Sequence, residues 1–368
     1  MSNFSKNYAA VMPEADSRLV LIDRPVPSPS VGEVLIQNHA IAVNPFDWKR
    51  QARNYKISSF PVVLGSGKYP ASGSLTCIDI VYHADISGVV VATGPDVTKF
   101  KIGDRVIGWA SGFISQNNDH GAFQGYTVVP ESVTSKLPDN VSLEEGVVLP
   151  TGVASAVVTL FHCLGQKIPL GSNECDNAKE PALLIWGGAS TVGTMTIQFA
   201  RTIGITVYTT ASPTHHEYLK SLGASYVFDY RSDTVVEDIL NTAKKTGKPI
   251  LFALDAISEG GTFEPCVEIL KRSLGEGRKK LIVTLPQDKE VPGRIDVEFL
   301  PAFVLWNERE DLSTWVFHNF LPVALESRFI VPSPKARVID GGLGSLQAAM
   351  DMLQKGVSCE KILVRPLV

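Results

Sequence analysis

The chain has 368 residues, 44% of them hydrophobic and 20% charged, which is an ordinary globular composition and enough for two domains. The 34 basic and 38 acidic residues leave a formal net charge of -4 without a run of Lys or Arg, so no nucleic-acid partner is expected. The N-terminus has no apolar signal segment, and no later stretch reaches the roughly 18 apolar residues of a membrane helix. These features, with five widely spaced cysteines, predict a cytoplasmic protein with reduced thiols and no membrane partner.

The first 150 residues predict a β-rich domain. Short apolar runs alternate there with Pro and Gly, as in an all-β barrel. Strands are predicted at residues 19–22, 34–36, 86–92, 105–109 and 123–129.

From residue 181 the pattern changes to apolar strand, glycine turn and amphipathic helix. Strands are predicted at 182–186 and 206–210, and helices at 191–203 and 215–222. This alternation indicates a parallel sheet with helices on both faces. The polar stretch 169–181 before it predicts a surface loop, and the C-terminal part predicts a strand at 329–333, a helix at 346–354 and a final strand from 361.

The strand at 182–186 leads into GGASTVG, the most specific local motif of the chain. Aligned on Gly188 and Gly193, it reads G-x-S-x-x-G, the dinucleotide fingerprint with Ser190 at the middle glycine. Glycines permit a tight turn and close packing of helix on strand, and the N–H groups of the first helical turn, at Thr191 and Val192, face a pyrophosphate. These five residues are therefore predicted to bind a dinucleotide, although any glycine-rich turn between strand and helix has a similar pattern.

The residues after the second strand favour NADPH over NADH. NAD enzymes place Asp or Glu there to bind the ribose 2′-hydroxyl, whereas this strand ends in Ala211, Ser212 and Pro213. A carboxylate would repel the 2′-phosphate of NADPH, so its absence predicts that Ser212 and the nearby His215 bind that phosphate. The alternative for His215 is a solvated helix start.

Several ordered motifs together resemble the medium-chain dehydrogenase/reductase superfamily, and within it the zinc-independent quinone reductases and the fungal trans-acting enoyl reductases. The motifs are PVPSPSVGEVL at 25–35, VNPFDWK at 43–49, FKIGDRVIG at 100–108, GAFQGYTVV at 121–129, LPTG at 149–152 and EKILVR at 360–365. The resemblance implies an α/β protein. A GroES-like β-barrel catalytic domain is expected at 1–155, a Rossmann doubly wound parallel sheet at 156–322, and a segment at 323–368 that returns to the catalytic domain.

The same resemblance implies roles for individual residues. Asn44, Asp47 and Lys49 match the segment that lines the nicotinamide end of the site. Thr151 matches the residue that contacts the nicotinamide ring, and Tyr230 matches the tyrosine beside the adenosine ribose phosphate. His215 departs from the family, which commonly has Lys at that position.

Two of these residues have alternative interpretations. Lys49 is predicted either to stabilise an enolate or to hold the cofactor ribose, with Asp47 orienting it. Otherwise Asp47 caps a short helix and Lys49 is a surface cation.

Zinc is not expected. Zinc enzymes of the superfamily place a Cys near position 44, a His near position 84 and a lobe of clustered cysteines. Here the two positions are Asn44 and Ala84, and His83 lies one residue away from the expected place. Without a Lewis acid for alcohol oxidation, the chemistry expected is hydride transfer from NADPH to an electron-poor double bond, with protonation by solvent or by a donor not yet identified.

Three functions follow from this interpretation. The first is a stand-alone reductase of small enones or quinones, and the second is an enoyl reductase that acts in trans on a substrate carried by a polyketide synthase. The third is a non-catalytic nucleotide-binding relative. The protein is expected to be a homodimer or a monomer.

One segment has no counterpart in the family pattern. Relatives pass directly from an LGxD run to SGxV, but here 67–84 stands before Asp85. We hypothesise that these residues are a translated intron, because their removal restores LGSDISGVV. The alternative is a genuine loop.

Overall fold

The computed structural model describes residues 6–54, 57, 59–64, 84–110, 112–115, 117–169, 181–287, 291 and 295–366. These residues form two compact units. Unit 1 consists of residues 1–151 together with 303–368, and unit 2 consists of residues 152–302. The segment 67–83, including His83, and most of the loop predicted at 169–181 lie outside the described residues.

The described strands, in chain order, are β1 Asn7–Met12, β2 Val20–Arg24, β3 Glu33–Ala42, β4 Val62–Val63, β5 Ala84–Thr93, β6 Arg105–Ala110, β7 Tyr126–Pro130, β8 Thr134–Lys136, β9 Ala182–Trp186, β10 Val207–Thr210, β11 Tyr226–Phe228, β12 Ile250–Asp255, β13 Lys279–Val283, β14 Ile295–Phe299, β15 Lys335–Ile339 and β16 Glu360–Val364.

The described α-helices are α1 Pro45–Arg53, α2 Gly112–Ser115, α3 Leu143–Gly146, α4 Pro150–Val157, α5 Thr191–Thr202, α6 His216–Leu222, α7 Val235–Thr246, α8 Phe263–Arg272, α9 Glu310–Ser313, α10 Leu321–Glu326 and α11 Leu346–Gln354. Short 3₁₀ turns span Asn118–His120, Glu131–Val133, Pro213–His215, Ala302–Trp306 and Gly342–Ser345, and π-helical turns span Val158–Cys163 and Thr314–Phe320.

Unit 1 is built on two sheets. A three-stranded sheet has the order β2-β1-β4, and a seven-stranded sheet has the order β15-β16-β3-β5-β6-β8 with β7 paired to β3. The C-terminal strand β16 pairs antiparallel with β3, so the end of the chain completes the sheet that its beginning starts. This arrangement confirms the predicted GroES-like domain.

Unit 2 is a six-stranded parallel sheet in the order β11-β10-β9-β12-β13-β14. This is the strand order of the Rossmann fold, in which the first strand lies in the middle, the next two strands follow on one side and the last three on the other. All five residues of β9 are buried, as expected for a parallel strand covered on both faces. The predicted Rossmann sheet is confirmed.

The boundary between the units differs from the expected one. The sequence predicts residues 303–322 in the nucleotide domain, but the described contacts place them in unit 1. In the π-helical turn Thr314–Phe320, His318 Nε2 lies 2.8 Å from the Glu131 carbonyl oxygen and its ring meets the edge of Phe100. These contacts are made in three dimensions and leave no mark in the hydrophobic pattern along the chain.

The structure differs from the sequence predictions for one strand and for one long apolar run. Residues 329–333 do not form the predicted strand, and β15 begins instead at Lys335, directly after Pro334. Prolines at 332 and 334 lack the N–H donors that a sheet ladder needs, which explains the delay. The prediction that no stretch is long and apolar enough for a membrane helix was wrong for the run Leu143–Cys163. The most apolar part of this run is 94% buried inside the protein, as in the core helix of a globular domain.

Candidate active site

The glycine turn after β9 has no room for a side chain at several of its glycines. Gly187 has φ 86°, a left-handed conformation that favours glycine. A Cβ on Gly193 would lie 2.4 Å from the Gly187 carbonyl oxygen, and one on Gly188 would lie 2.1 Å from Thr209 Oγ1. The turn and the start of α5 therefore approach each other as closely as glycine allows.

Ser190 caps the helix that follows this turn. Its hydroxyl accepts a hydrogen bond from Gly193 N–H at 3.0 Å and donates to the Gly187 carbonyl at 2.8 Å. Thr191 and Val192 then occupy the first two positions of α5, where backbone N–H groups have no intrahelical acceptor. The structure thus gives Ser190 a role in shaping the turn. Binding of a phosphate by the N–H groups that follow it stays a prediction.

The adjacent strand end carries a cation that the sequence interpretation did not single out. The turn after β9 is tied to β10 by a hydrogen bond from Gly188 N–H to the Thr210 carbonyl at 2.9 Å. Just beyond β10, Arg231 Nη2 donates to Ser212 Oγ at 3.1 Å, and the guanidinium lies 5.2 Å from the centroid of the Tyr230 ring. Ser212, Tyr230 and Arg231 therefore form one polar group, which we call the 231 cluster.

His215 lies next to this cluster in the chain. It ends the 3₁₀ turn Pro213–His215, where its backbone N–H donates to the Ser212 carbonyl at 2.9 Å. The neighbouring His216 is directed back to the protein, with Nε2 3.1 Å from the Ala211 carbonyl oxygen. His215 is thus near the 231 cluster, and its role in phosphate binding stays a prediction.

In unit 1, Asn44 and Asp47 form the start of α1. Asp47 is buried, and its carboxylate accepts a hydrogen bond from Asn44 N–H at 2.7 Å. This contact is the helix cap that was the alternative interpretation of Asp47. Burial raises the pKa of Asp47 to about 7, although the Asn44 N–H and the charges of Lys361 and Arg50 act in the opposite direction.

Lys49 follows Asp47 by two residues and therefore lies on a different face of α1. Its Nζ is 5.4 Å from the centroid of the Trp48 ring. The charges of Lys361, Asp85 and Arg50 act on Asp47. That Asp47 orients Lys49 stays a prediction. A direct contact between Lys49 and a ligand stays a prediction.

Asp85, in β5, lies at the centre of a group of buried polar side chains in unit 1 that also contains Asn44, Thr151 and Lys361. We call this group the polar site of unit 1. Asp85 Oδ1 accepts hydrogen bonds from the backbone N–H and the hydroxyl of Thr151, at 2.8 and 2.7 Å. Its Oδ2 accepts from Asn44 Nδ2 at 3.2 Å and forms an ion pair with Lys361 Nζ at 2.8 Å. Lys361 also donates to Asn44 Oδ1. The structure therefore connects Asn44 and Thr151 through Asp85 and Lys361. The sequence analysis predicts no role for these two residues.

Aromatic side chains adjoin Thr151. Trp109 Nε1 donates to Thr151 Oγ1 at 3.2 Å, and the Trp109 ring packs on Trp306 with centroids 4.0 Å apart. Trp109, Trp315 and Phe317 are buried in the core, whereas Trp306 and Phe303 are half-buried.

A test of the Asp47 site is the pH dependence of stability. A carboxyl whose pKa is raised in the folded state contributes stability below its unfolded pKa, near 4, which is lost as the pH rises through about 7. The stabilisation of Asp47→Asn relative to wild type should therefore be larger at about pH 8 than at about pH 5, by on the order of 2 kcal/mol. Urea unfolding at both pH values measures it. The exposed Asp139→Asn variant is the control, and a stabilisation that is the same at both pH values would contradict the assignment.

Comparison with known proteins places the chain in a class. A model of the alcohol dehydrogenase GroES-like domain matches residues 30–139, and a model of zinc-binding dehydrogenases matches residues 191–280. Together with the Rossmann unit, these matches define an oxidoreductase of the medium-chain dehydrogenase/reductase superfamily, whose fold binds a nucleotide cofactor.

The relatives narrow the class to a branch. The trans-enoyl reductase tndF of Aspergillus flavipes is 35% identical over 98% of this chain and 99% of its own length. The dehydrogenase pigH of Monascus ruber is also 35% identical, over 97% and 99%. The chain therefore belongs to the fungal enoyl reductase branch, which confirms the resemblance found in the sequence. The fold is shared with mycobacterial Rv1454c, solved with NADPH, at a TM-score of 0.69 and 23% identity over 98% of this chain and 100% of that one.

Proposed function

We propose that this oxidoreductase uses NADPH to reduce an activated carbon-carbon double bond, in an enone, a quinone or an enoyl thioester, without zinc. The observation that carries the proposal is the 231 cluster at the end of β10. A guanidinium held by the Ser212 hydroxyl, with no carboxylate at residues 211–216, suits a phosphate on the 2′-oxygen better than a hydroxyl.

The residues of unit 2 fit the rest of the cofactor. Only glycine has room at positions 188 and 193, so backbone can approach a pyrophosphate there. Gly188, Thr191 and Val192 would hold the pyrophosphate through the turn and the start of α5. Ser212, Arg231 and Tyr230 would hold the 2′-phosphate, with His215 beside them.

The chemistry divides between cofactor and protein. NADPH, when bound, supplies the hydride. Asn44 and Thr151, which hydrogen bonds to Asp85 hold in place, would contact the nicotinamide end. Lys49 is the candidate cation for the oxygen that gains charge as the double bond is reduced.

Zinc independence rests on ligand chemistry. Asn44 and Ala84 stand where zinc enzymes of the superfamily have a sulfur and an imidazole ligand. Among the residues that the structure describes, no three His, Cys, Asp or Glu side chains are grouped to hold a metal.

The test follows the absorbance of NADPH at 340 nm, as its formation from NADP⁺ with alcohols and as its consumption with enones, quinones and enoyl thioesters. We expect turnover with members of the last three groups, at least tenfold preference for NADPH over NADH, and activity that survives a chelator. The proposal would be contradicted by a protein that contains one zinc ion per chain and oxidises alcohols only while that zinc is bound.

A second candidate keeps the chemistry and changes the substrate. The similarity to proteins named trans-enoyl reductases favours an acyl chain tethered to a carrier protein of a cytoplasmic polyketide synthase. Comparing kcat/KM for one enoyl group on a carrier protein and on a short thiol distinguishes the two. A preference of more than about tenfold for the carrier-bound form supports a trans-acting enzyme, and equal values support a stand-alone reductase.

A further inference from the structure

The buried ion pair of Asp85 and Lys361 is not needed for any role assigned so far. Asp85 is completely buried and Lys361 is 4% exposed. Removing two such charges from water costs several kcal/mol per ion, and an apolar pair of the same volume is often as stable or more stable. Stability of the fold is therefore a weak reason for this pair.

The contacts of Asp85 show what the pair does. A carboxylate has about four acceptor positions. Here Oδ2 is occupied by Lys361 and Asn44, and both contacts of Oδ1 are with Thr151. Lys361 holds one oxygen, so the other is directed at the backbone N–H and hydroxyl of Thr151.

This arrangement sets the direction of the Thr151 hydroxyl. An ionised carboxylate cannot donate, so the single hydroxyl proton of Thr151 goes to Asp85 at 2.7 Å. The indole N–H of Trp109 cannot accept, so it donates to the same oxygen at 3.2 Å. Toward any ligand, Thr151 Oγ1 can then act only as an acceptor.

We infer that Asp85 and Lys361 are positioning residues, which make Thr151 an acceptor for the carboxamide N–H₂ of the nicotinamide. The inference rests on the proposed function. It also separates two tasks: an enolate oxygen carries no proton to donate, so Thr151 cannot stabilise it and another group must.

A cofactor analogue tests the direction of this hydrogen bond. Reduced 3-acetylpyridine adenine dinucleotide phosphate has a methyl ketone in place of the carboxamide and therefore lacks the N–H₂ donor. The wild type should bind NADPH about fivefold to tenfold more tightly than the analogue, as expected for one hydrogen bond. Thr151→Val should lose this preference, and Thr151→Ser should keep it.

A double variant tests the positioning role. Asp85→Leu combined with Lys361→Met replaces the ion pair by apolar side chains of similar size. We expect it to fold, because no charge is left buried without a partner, but to unfold at a lower temperature than wild type, because Asn44 and Thr151 lose their hydrogen bonds to the pair. Its preference for the carboxamide should nevertheless fall to about twofold or less, since the hydroxyl of Thr151 can then rotate. A purely structural pair would lower the unfolding temperature in the same way but leave the preference intact.

The outcomes separate this inference from the proposed function. Both cofactors are titrated by fluorescence with wild type before any variant is compared. Failure of wild type to bind NADPH contradicts the proposed function. Binding of NADPH with no preference over the analogue, or a preference that persists in Thr151→Val or in the double variant, overturns the positioning role alone.

Discussion

Arg231→Ala is expected to weaken NADPH binding by about 30-fold and to leave NADH binding within about twofold. The guanidinium donates to Ser212 Oγ at 3.1 Å and lies over the Tyr230 ring, so its place at the end of β10 is set by two neighbours. A charge-assisted hydrogen bond to a phosphate contributes about 1.5 to 3 kcal/mol, which corresponds to roughly 10- to 100-fold in affinity. NADH has a hydroxyl there and gains little from the cation.

Fluorescence titration of both cofactors measures this change. Arg278→Ala is the matched control, because Arg278 is an exposed arginine of the same unit, paired at 2.8 Å with Asp296 of β14 on the opposite edge of the sheet. Equal losses for NADPH and NADH would show that Arg231 supports the turn in general, and unchanged NADPH binding would show that the 2′-phosphate lies elsewhere.

Gly193→Ala is expected to reduce the free energy of unfolding by about 3 kcal/mol and NADPH affinity by more than about 100-fold. The added Cβ would lie 2.4 Å from the Gly187 carbonyl oxygen and 2.7 Å from Gly188 Cα. Both are backbone atoms, so relief requires α5 to move away from the turn that it closes. The N–H groups of Thr191 and Val192 would then no longer face the phosphates together.

Binding must be measured well below the unfolding temperature of this variant, so that the loss of affinity is not a loss of folded protein. Gly344→Ala is the control, because a Cβ there meets only Leu21 Cδ1, at 3.8 Å. A folded Gly193→Ala variant that binds NADPH as wild type does would remove the turn after β9 from the cofactor site.

Local patterns made much of the fold predictable. The strand 182–186 and the helix 346–354 agree with β9 and α11, because the periodicity of apolar residues and the adjacent turn residues lie within a dozen positions of each other. The cap of α1 by Asp47 is equally local, since N-cap and third helical residue are three apart.

The contacts that build the candidate site join residues that lie far apart in the sequence, and they could not be predicted from it. Arg231 was visible in the motif that contains Tyr230, but its contact with Ser212 bridges 19 positions and follows from the pairing of β10 with β11. Lys361 reaches Asn44 across 317 positions, because β16 returns to β3. A Lys in a C-terminal apolar strand has no sequence signal that names its partner.

The sequence by itself determined the class of this protein: a Rossmann turn, a GroES-like barrel and the branch of enoyl reductases, all of which are encoded in short motifs whose residues act through their own backbone. Only the tertiary structure decided that residues 303–322 pack with unit 1, that Arg231 joins Ser212, and that Asp85 and Lys361 orient Thr151. Buried charges and side-chain hydrogen bonds depend on which strands become neighbours, and that pairing exists only in the folded chain.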